Sequence, residues 1–180
     1  MPYFSDIYCN ILNYYVNYDK EYEYIFFNKL NDIDGQFLLI LSTIHRNDPD
    51  QNLKMKIVAK QFDRYFVALQ LTDSYRSNDF NAGVISLNAK VRNKSIDEII
   101  TAFQEQLAGD IKKSHGRDEL PIMFSYEFFK LVGYNSFGST FLRYYFARID
   151  HYISDFSDLP EYGTYYQLVK QTKGGDVYHI

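Results

Sequence analysis

Lys54-Met55-Lys56-Ile57-Val58-Ala59-Lys60-Gln61-Phe62-Asp63-Arg64-Tyr65-Phe66-Val67-Ala68-Leu69-Gln70-Leu71 is the stretch on which the fold class turns. Met55, Val58, Ala59, Phe62, Phe66 and Leu69 recur at spacings of three and four, which places them on one face of an α-helix. Lys54, Lys56, Lys60, Asp63 and Arg64 cover the other face. The spacing predicts an amphipathic helix that ends near Leu71 and turns those charges toward solvent. Residues 46–52 form a break ahead of it, where Asp48 can cap and Pro49 suits the first helical turn.

The helical period extends in both directions. Toward the N-terminus, Phe4, Ile7, Tyr8, Ile11, Leu12, Tyr15 and Tyr18 make a second stripe, with Cys9 beside it as a small buried or half-buried side chain. Residues 21–30 suit a short helix better than an extended piece, and Asn31-Asp32-Ile33-Asp34-Gly35 interrupts them. The run Phe37-Leu38-Leu39-Ile40-Leu41 fits a strand or a buried helix by periodicity alone; its polar flanks and helical neighbours favour the helix. Toward the C-terminus, residues 72–94 are polar, with a short helix expected around Phe80–Asn88. Ser95-Ile96-Asp97-Glu98 is a capping-box pattern leading into Ile96, Ile99, Ile100, Phe103 and Leu107. Gly109 is the expected stop, and residues 109–119 then read as an exposed charged loop.

Beyond that loop, Pro121 opens a segment with Phe124, Phe128 and Leu131. A further helix is expected over 137–153, with Phe141, Leu142, Tyr145, Ile149, Tyr152 and Ile153 facing inward. A short helix is expected over 161–170. The fold class is therefore all-α: one irregular domain of about six to eight helices over residues 1–172. Residues 173–180 turn abruptly strand-like at Val177-Tyr178-His179-Ile180, a truncated extended tail that reads as the lead-in to a missing C-terminal domain.

Composition excludes several classes. Lys and Arg number 19 against 23 Asp and Glu, a net charge of -4. That balance argues against a dedicated nucleic-acid coat or a polybasic membrane binder. A lone cysteine cannot build a disulfide framework and fits a reducing compartment, so the expected location is cytoplasmic. No apolar run reaches the roughly 20 residues that span a bilayer. The 18 Tyr and 15 Phe, with no Trp, are the compositional anomaly. Tyrosine suits half-buried helix flanks, and an exposed tyrosine surface suits docking.

Chemical motifs are sparse. The four histidines, His45, His115, His151 and His179, have no zinc-like spacing with cysteine. Glycine-rich nucleotide fingerprints are absent. Asp32 and Asp34 share a loop but read as solvent-facing acids. A small enzyme built on His115, Glu127 or His151 would require those groups to converge in a pocket. The basic residues of most interest are Arg143 and Arg148, then Lys112, Lys113 and Arg117. Arginine offers a rigid donor fork for carboxylate or phosphate. These five are the candidate DNA or interdomain contacts; no catalytic, cofactor or metal residue is assigned.

Taken together, Phe37–Leu41, the Phe62-Asp63-Arg64-Tyr65-Phe66 segment, Phe141-Leu142-Arg143-Tyr144-Tyr145-Phe146-Ala147-Arg148-Ile149-Asp150 and Asp176-Val177-Tyr178-His179-Ile180 resemble pieces of one family. It is the modification-dependent (type IV) restriction endonucleases and their relatives. These carry an N-terminal ParB-like domain with an Asp-Gly-Gln-Gln-Arg signature and a C-terminal HNH-type nuclease domain. The match is sharpest over 141–150 and 176–180. Asp34-Gly35-Gln36 shares only the start of the signature, because Phe37 and Leu38 replace its Gln and Arg; it reads as a helix start. The resemblance implies a non-catalytic helical linker or scaffold between the two outer domains, with no cofactor in this segment. It implies those flanking domains as partners and DNA through the parent protein. His179 would precede the family's Glu-His pair and is not its catalytic histidine. The alternatives are a helical DNA-backbone-binding module and a stand-alone protein-interaction domain.

Overall fold

The computed structural model describes residues 2–116 and 137–157. The chain divides into two compact units, Met1–Gly133 and Tyr134–Ile180. The first holds α1 (Pro2–Val16), a 3-10 turn (Lys20–Tyr22), α2 (Glu23–Leu30), α3 (Gly35–Thr43), α4 (Gln51–Leu71), α5 (Ser77–Val91) and α6 (Ile96–His115). The second holds α7 (Ser139–Ser157). Among the described residues the chain is all-α, with no strand.

The stretch that opened the sequence reading is the hub. α4 packs against α2, α3 and α6, while α5 packs on α3 and α6, and α1 on α2 and α3. Covered on several sides, α4 buries far more than one stripe: Gln61, Asp63, Tyr65 and Ala68 are buried along with the apolar set. A helix enclosed in this way sits at the centre of a domain rather than on its surface. Lys54 and Asp63 were expected in solvent and are instead buried, at 5% and 6% exposure. The reason for Lys54 is a partner: its ammonium lies 2.8 Å from Asp48 Oδ2 and donates to the Thr43 carbonyl. Asp48 therefore does not cap the helix. It accepts from the Asp50 amide in the turn before α4 and anchors Lys54.

Aromatic rings fill the space between α4 and α5. Phe80 contacts Phe62, Tyr65, Phe66 and Tyr75, with ring centroids 5.3–5.7 Å apart. Offset and edge-on contacts of this kind add to the apolar burial of the rings themselves. On the other side of α4, a buried amide pair joins α2 to α3. Asn28 Nδ2 donates to Gln36 Oε1 and to the Ala59 carbonyl, and Gln36 Nε2 donates to the Ile25 carbonyl. Gly35, at the start of α3, leaves room there for Phe62 and Val84, each 3.0 Å from where a Cβ would sit.

The helix ends differ from expectation in an instructive way. The Ser95 and Glu98 capping box is present in full. Gly109 does not stop α6, which continues through it to His115; Gly116, at φ 61, is the left-handed cap. Residues 109–115 are thus helix rather than loop. α5 spans Ser77–Val91, longer than the short helix expected. Several turns are made by non-glycine residues at positive φ: Asp32, Asn47, Asp73 and Asn93. Asn and Asp tolerate this region better than other side chains.

Candidate functional site

Titratable side chains from α4, α5 and α6 meet in a cleft of about 220 Å³, lined in part by Tyr65, Ser74, Arg76, Asp79, Asp110 and Lys113. The Tyr65 hydroxyl donates to Asp110 Oδ2. Gln106 Nε2 donates to both Asp110 oxygens, and Gln106 Oε1 accepts from Ser86 and Lys90. Burial, then the Asp110 hydrogen bond and the negative charges of Asp110 and Asp79, push the Tyr65 phenol far above its ordinary value. Lys113 reaches Asp79 at 2.7 Å, and that contact holds its ammonium above the usual lysine range. His115 Nε2 lies 2.7 Å from the Thr72 carbonyl and 3.0 Å from Ser74 Oγ.

Apart from the Gln106–Asp110 contact within α6, these contacts join different parts of the fold. Tyr65 with Asp110 ties α4 to α6, Gln106 with Ser86 ties α6 to α5, and His115 ties the end of α6 to the turn after α4. The tyrosine proton is held tightly, so this hydroxyl is a structural hydrogen-bond donor and a poor acid. The cleft is a polar seam between helices. A second cleft between α4 and α6, about 300 Å³, is lined mainly by Gln61, Tyr65, Phe103, Leu107 and the Arg64 side chain. Among the described residues, no group of three or more His, Cys, Asp or Glu side chains is gathered to hold a metal ion. No helix among them is long and apolar enough to cross a membrane.

The basic residues singled out from sequence fall on two units, Lys112 and Lys113 on the first and Arg143 and Arg148 on the second. Lys112 and Lys113 lie in the last turns of α6, where cations favour the helix dipole. Lys113 belongs to the seam. Arg143 and Arg148 are half-buried on α7. Arg143 Nε donates to the Ser139 carbonyl at 3.3 Å, and the Arg148 guanidinium sits 5.9 Å from the Tyr144 ring centre. Arg117, Glu127 and His179 lie outside the described residues, as do the segments expected over 121–131 and 161–170. On α7 the buried face is Phe141, Tyr144 and Ala147, whereas Ile149, Tyr152 and Ile153 are exposed, so the inward face is rotated from the one expected.

On α1 the stripe from Phe4 to Tyr18 divides: Ile7 and Ile11 carry the burial. Phe4, Tyr8, Leu12 and Val16, four residues apart, are 48%, 45%, 40% and 52% exposed. Cys9 is exposed beside them, against the expectation of a buried or half-buried side chain. On α3, the Phe37 ring packs on Tyr8 and Tyr15, and the next residue, Leu38, is 45% exposed. α1 therefore carries two apolar faces: a narrow one turned into the domain and a broader one turned to solvent. Apolar area of this kind, in a continuous row, makes this face a candidate contact surface. The signal was in the sequence: the stripe is too wide for a single buried seam.

No family model matches the chain, and no curated protein or solved structure matches it either.

Proposed function

We propose that this chain is a non-catalytic, cytoplasmic helical interaction module whose contact surface is the exposed apolar face of α1. The observation that carries the reading is the row Phe4, Tyr8, Leu12 and Val16, each about half in water on one helix. Supporting it, the polar groups of the α4–α5–α6 cleft bond one another across helices, which is what a scaffold requires of them. The nuclease context is the finer part of the proposal. It rests on the resemblance of residues 141–150 and 176–180, and would make the module a scaffold beside an HNH-type nuclease and a ParB-like domain.

Cys9 gives a direct test, because it is the lone cysteine and lies next to Tyr8 and one turn from Leu12. A maleimide should label it quickly in the dilute purified chain and more slowly in fresh extract of cells that produce the protein. Equal rates in the two settings would mean that nothing covers this face, and the interaction reading would fall.

A further inference from the structure

We propose that the partner of the α1 face is a second copy of this chain, in a reversible antiparallel pairing of α1 with α1. This deepens the interaction reading above and rests on it. The first argument is the order of side chains along the row. The rings, Phe4 and Tyr8, occupy its N-terminal half; the aliphatic residues, Leu12 and Val16, occupy its C-terminal half. A two-fold axis passing between Tyr8 and Leu12 sets Phe4 against the partner copy's position 16 and Tyr8 against its position 12. Every level then pairs a ring with an aliphatic group. A parallel pairing would stack ring on ring at one end and leave the thin end underfilled. The face is thus complementary to its own reverse, which is the condition for an isologous interface.

Charge supports the same arrangement. α1 contains a single ionisable acid, Asp6, and no lysine or arginine. At the helical turn of about 100° per residue, Asp6 falls on the opposite side from the middle of the row. Ser5, the exposed residue that the same rotation places within the row, is neutral. Two copies can meet here without opposing like charges, and antiparallel helices also align their dipoles favourably. Area sets the strength. Five half-exposed side chains, Leu38 included, present apolar surface on the order of 450 Å² per copy, against about 800 Å² per partner in a standard stable interface. The pairing is therefore a weak, concentration-dependent one.

The test is sedimentation equilibrium of the full chain from about 1 µM to about 1 mM, the range in which an interface of this size exchanges. The mean mass should rise with concentration from 21.3 kDa toward twice that value. Leu12→Glu should weaken dimerisation at least ~10-fold by placing a charge near the axis. Unchanged helical circular dichroism would show that this half-exposed site tolerates the change. Tyr8→Lys should do the same, and mixing the two variants should restore association, because only the antiparallel register sets the new carboxylate against the new ammonium. A short bismaleimide should join two wild-type chains through Cys9, beside the axis, and should fail with Leu12→Glu. A monomer throughout the range, or a dimer indifferent to Leu12→Glu, overturns the proposal. If the purified chain stays monomeric while Cys9 is still protected in extract, another partner covers the face: this inference falls and the interaction reading stands. If Cys9 is unprotected in both settings and the chain stays monomeric up to about 1 mM, both fall.

Discussion

Replacing Gly83 with alanine isolates how closely α4 and α5 approach. A Cβ at Gly83 would lie 2.2 Å from Tyr65 Oη, 3.3 Å from Tyr65 Cζ and 3.2 Å from Asp110 Oδ2. The first distance is far inside any real contact, and the hydroxyl can yield only by shifting its ring or its bond to Asp110. Tyr65 is 1% exposed, its ring is stacked on Phe80 at 5.3 Å, and its hydroxyl is bound to Asp110. Overpacking of a tight core costs about 1–3 kcal/mol. Dislodging a hydrogen bond to a carboxylate costs about 1.5–3 kcal/mol more. Against these, alanine in mid-helix gains up to about 1 kcal/mol over glycine. The net expectation is a loss of about 1.5–5 kcal/mol, read as a lower urea midpoint with an unchanged slope.

Two companions make the result diagnostic. Gly109→Ala lies inside α6 with nothing within 4 Å of its Cβ, so it should stabilise by up to about 1 kcal/mol through helix propensity alone. Tyr65→Phe combined with Gly83→Ala removes the hydroxyl and leaves the 3.3 Å carbon contact as the nearest obstacle. The double variant should recover about 1–2 kcal/mol relative to the sum of the single changes. Strict additivity, or a Gly83→Ala variant that behaves like Gly109→Ala, would refute the argument that the Tyr65 hydroxyl sets this helix spacing.

Asp48→Asn should cost about 3–5 kcal/mol near neutral pH, because it leaves the Lys54 ammonium buried without its carboxylate. Burial pushes the Asp48 carboxyl up, but Lys54, the Asp50 amide and His45 pull it down by more, so it rests below its ordinary value. A carboxyl depressed in the folded state stabilises above its unfolded pKa of about 3.9, and that contribution fades as pH falls through the folded value. The gap between wild type and Asp48→Asn in urea melts should therefore narrow on acidification below about pH 4. Ser95→Ala should cost about 1 kcal/mol by removing the cap of α6. Glu98 is held down at about 2 by Lys94 and by the Ser95 amide and hydroxyl, so carbon-detected titration of Ser95→Ala should show it moving up toward the ordinary range. Gly116→Ala should cost about 1 kcal/mol from its left-handed backbone alone, since nothing lies within 4 Å of the added carbon.

What the sequence showed and what it hid divide along physical lines. α4 and the start of α6 were legible because a long three-and-four period and a capping box are local signals. The end of α6 was misplaced because a glycine can end a helix or sit within one, and only φ distinguishes Gly116 from Gly109. The turns at Asp32, Asn47, Asp73 and Asn93 were read simply as polar breaks, although each takes the left-handed conformation often left to glycine. Lys54 was put in solvent because its partner Asp48 lies in a turn, and nothing in a helical wheel reports a charge waiting there. The candidate surface failed differently. Periodicity says which side chains share a face, but not whether the fold has a neighbour to cover it, and α1 has more apolar face than α2 and α3 can cover.

The tyrosine excess separates into two uses. A tyrosine ring adds apolar bulk, and its hydroxyl reaches past the ring to a polar group on another element. Tyr15 donates to Asp34 at 2.7 Å, Tyr65 donates to Asp110, and the Tyr3 hydroxyl lies 2.7 Å from the His45 carbonyl and 2.8 Å from Gln51 Oε1. These contacts join α1 to the loop before α3, α4 to α6, and α1 to the start of α4. Tyr14 stacks on Tyr22 with ring centres 4.0 Å apart, and the Tyr22 phenol is pushed up to about 12, chiefly by burial. Such tyrosines serve as cross-links between helices of a bundle held by no disulfide. Tyr8 is placed otherwise: its ring leans on Phe37, yet it remains nearly half exposed within the α1 row. A composition that sequence alone could assign either to core or to surface therefore divides between the two, and position along α1 tells them apart.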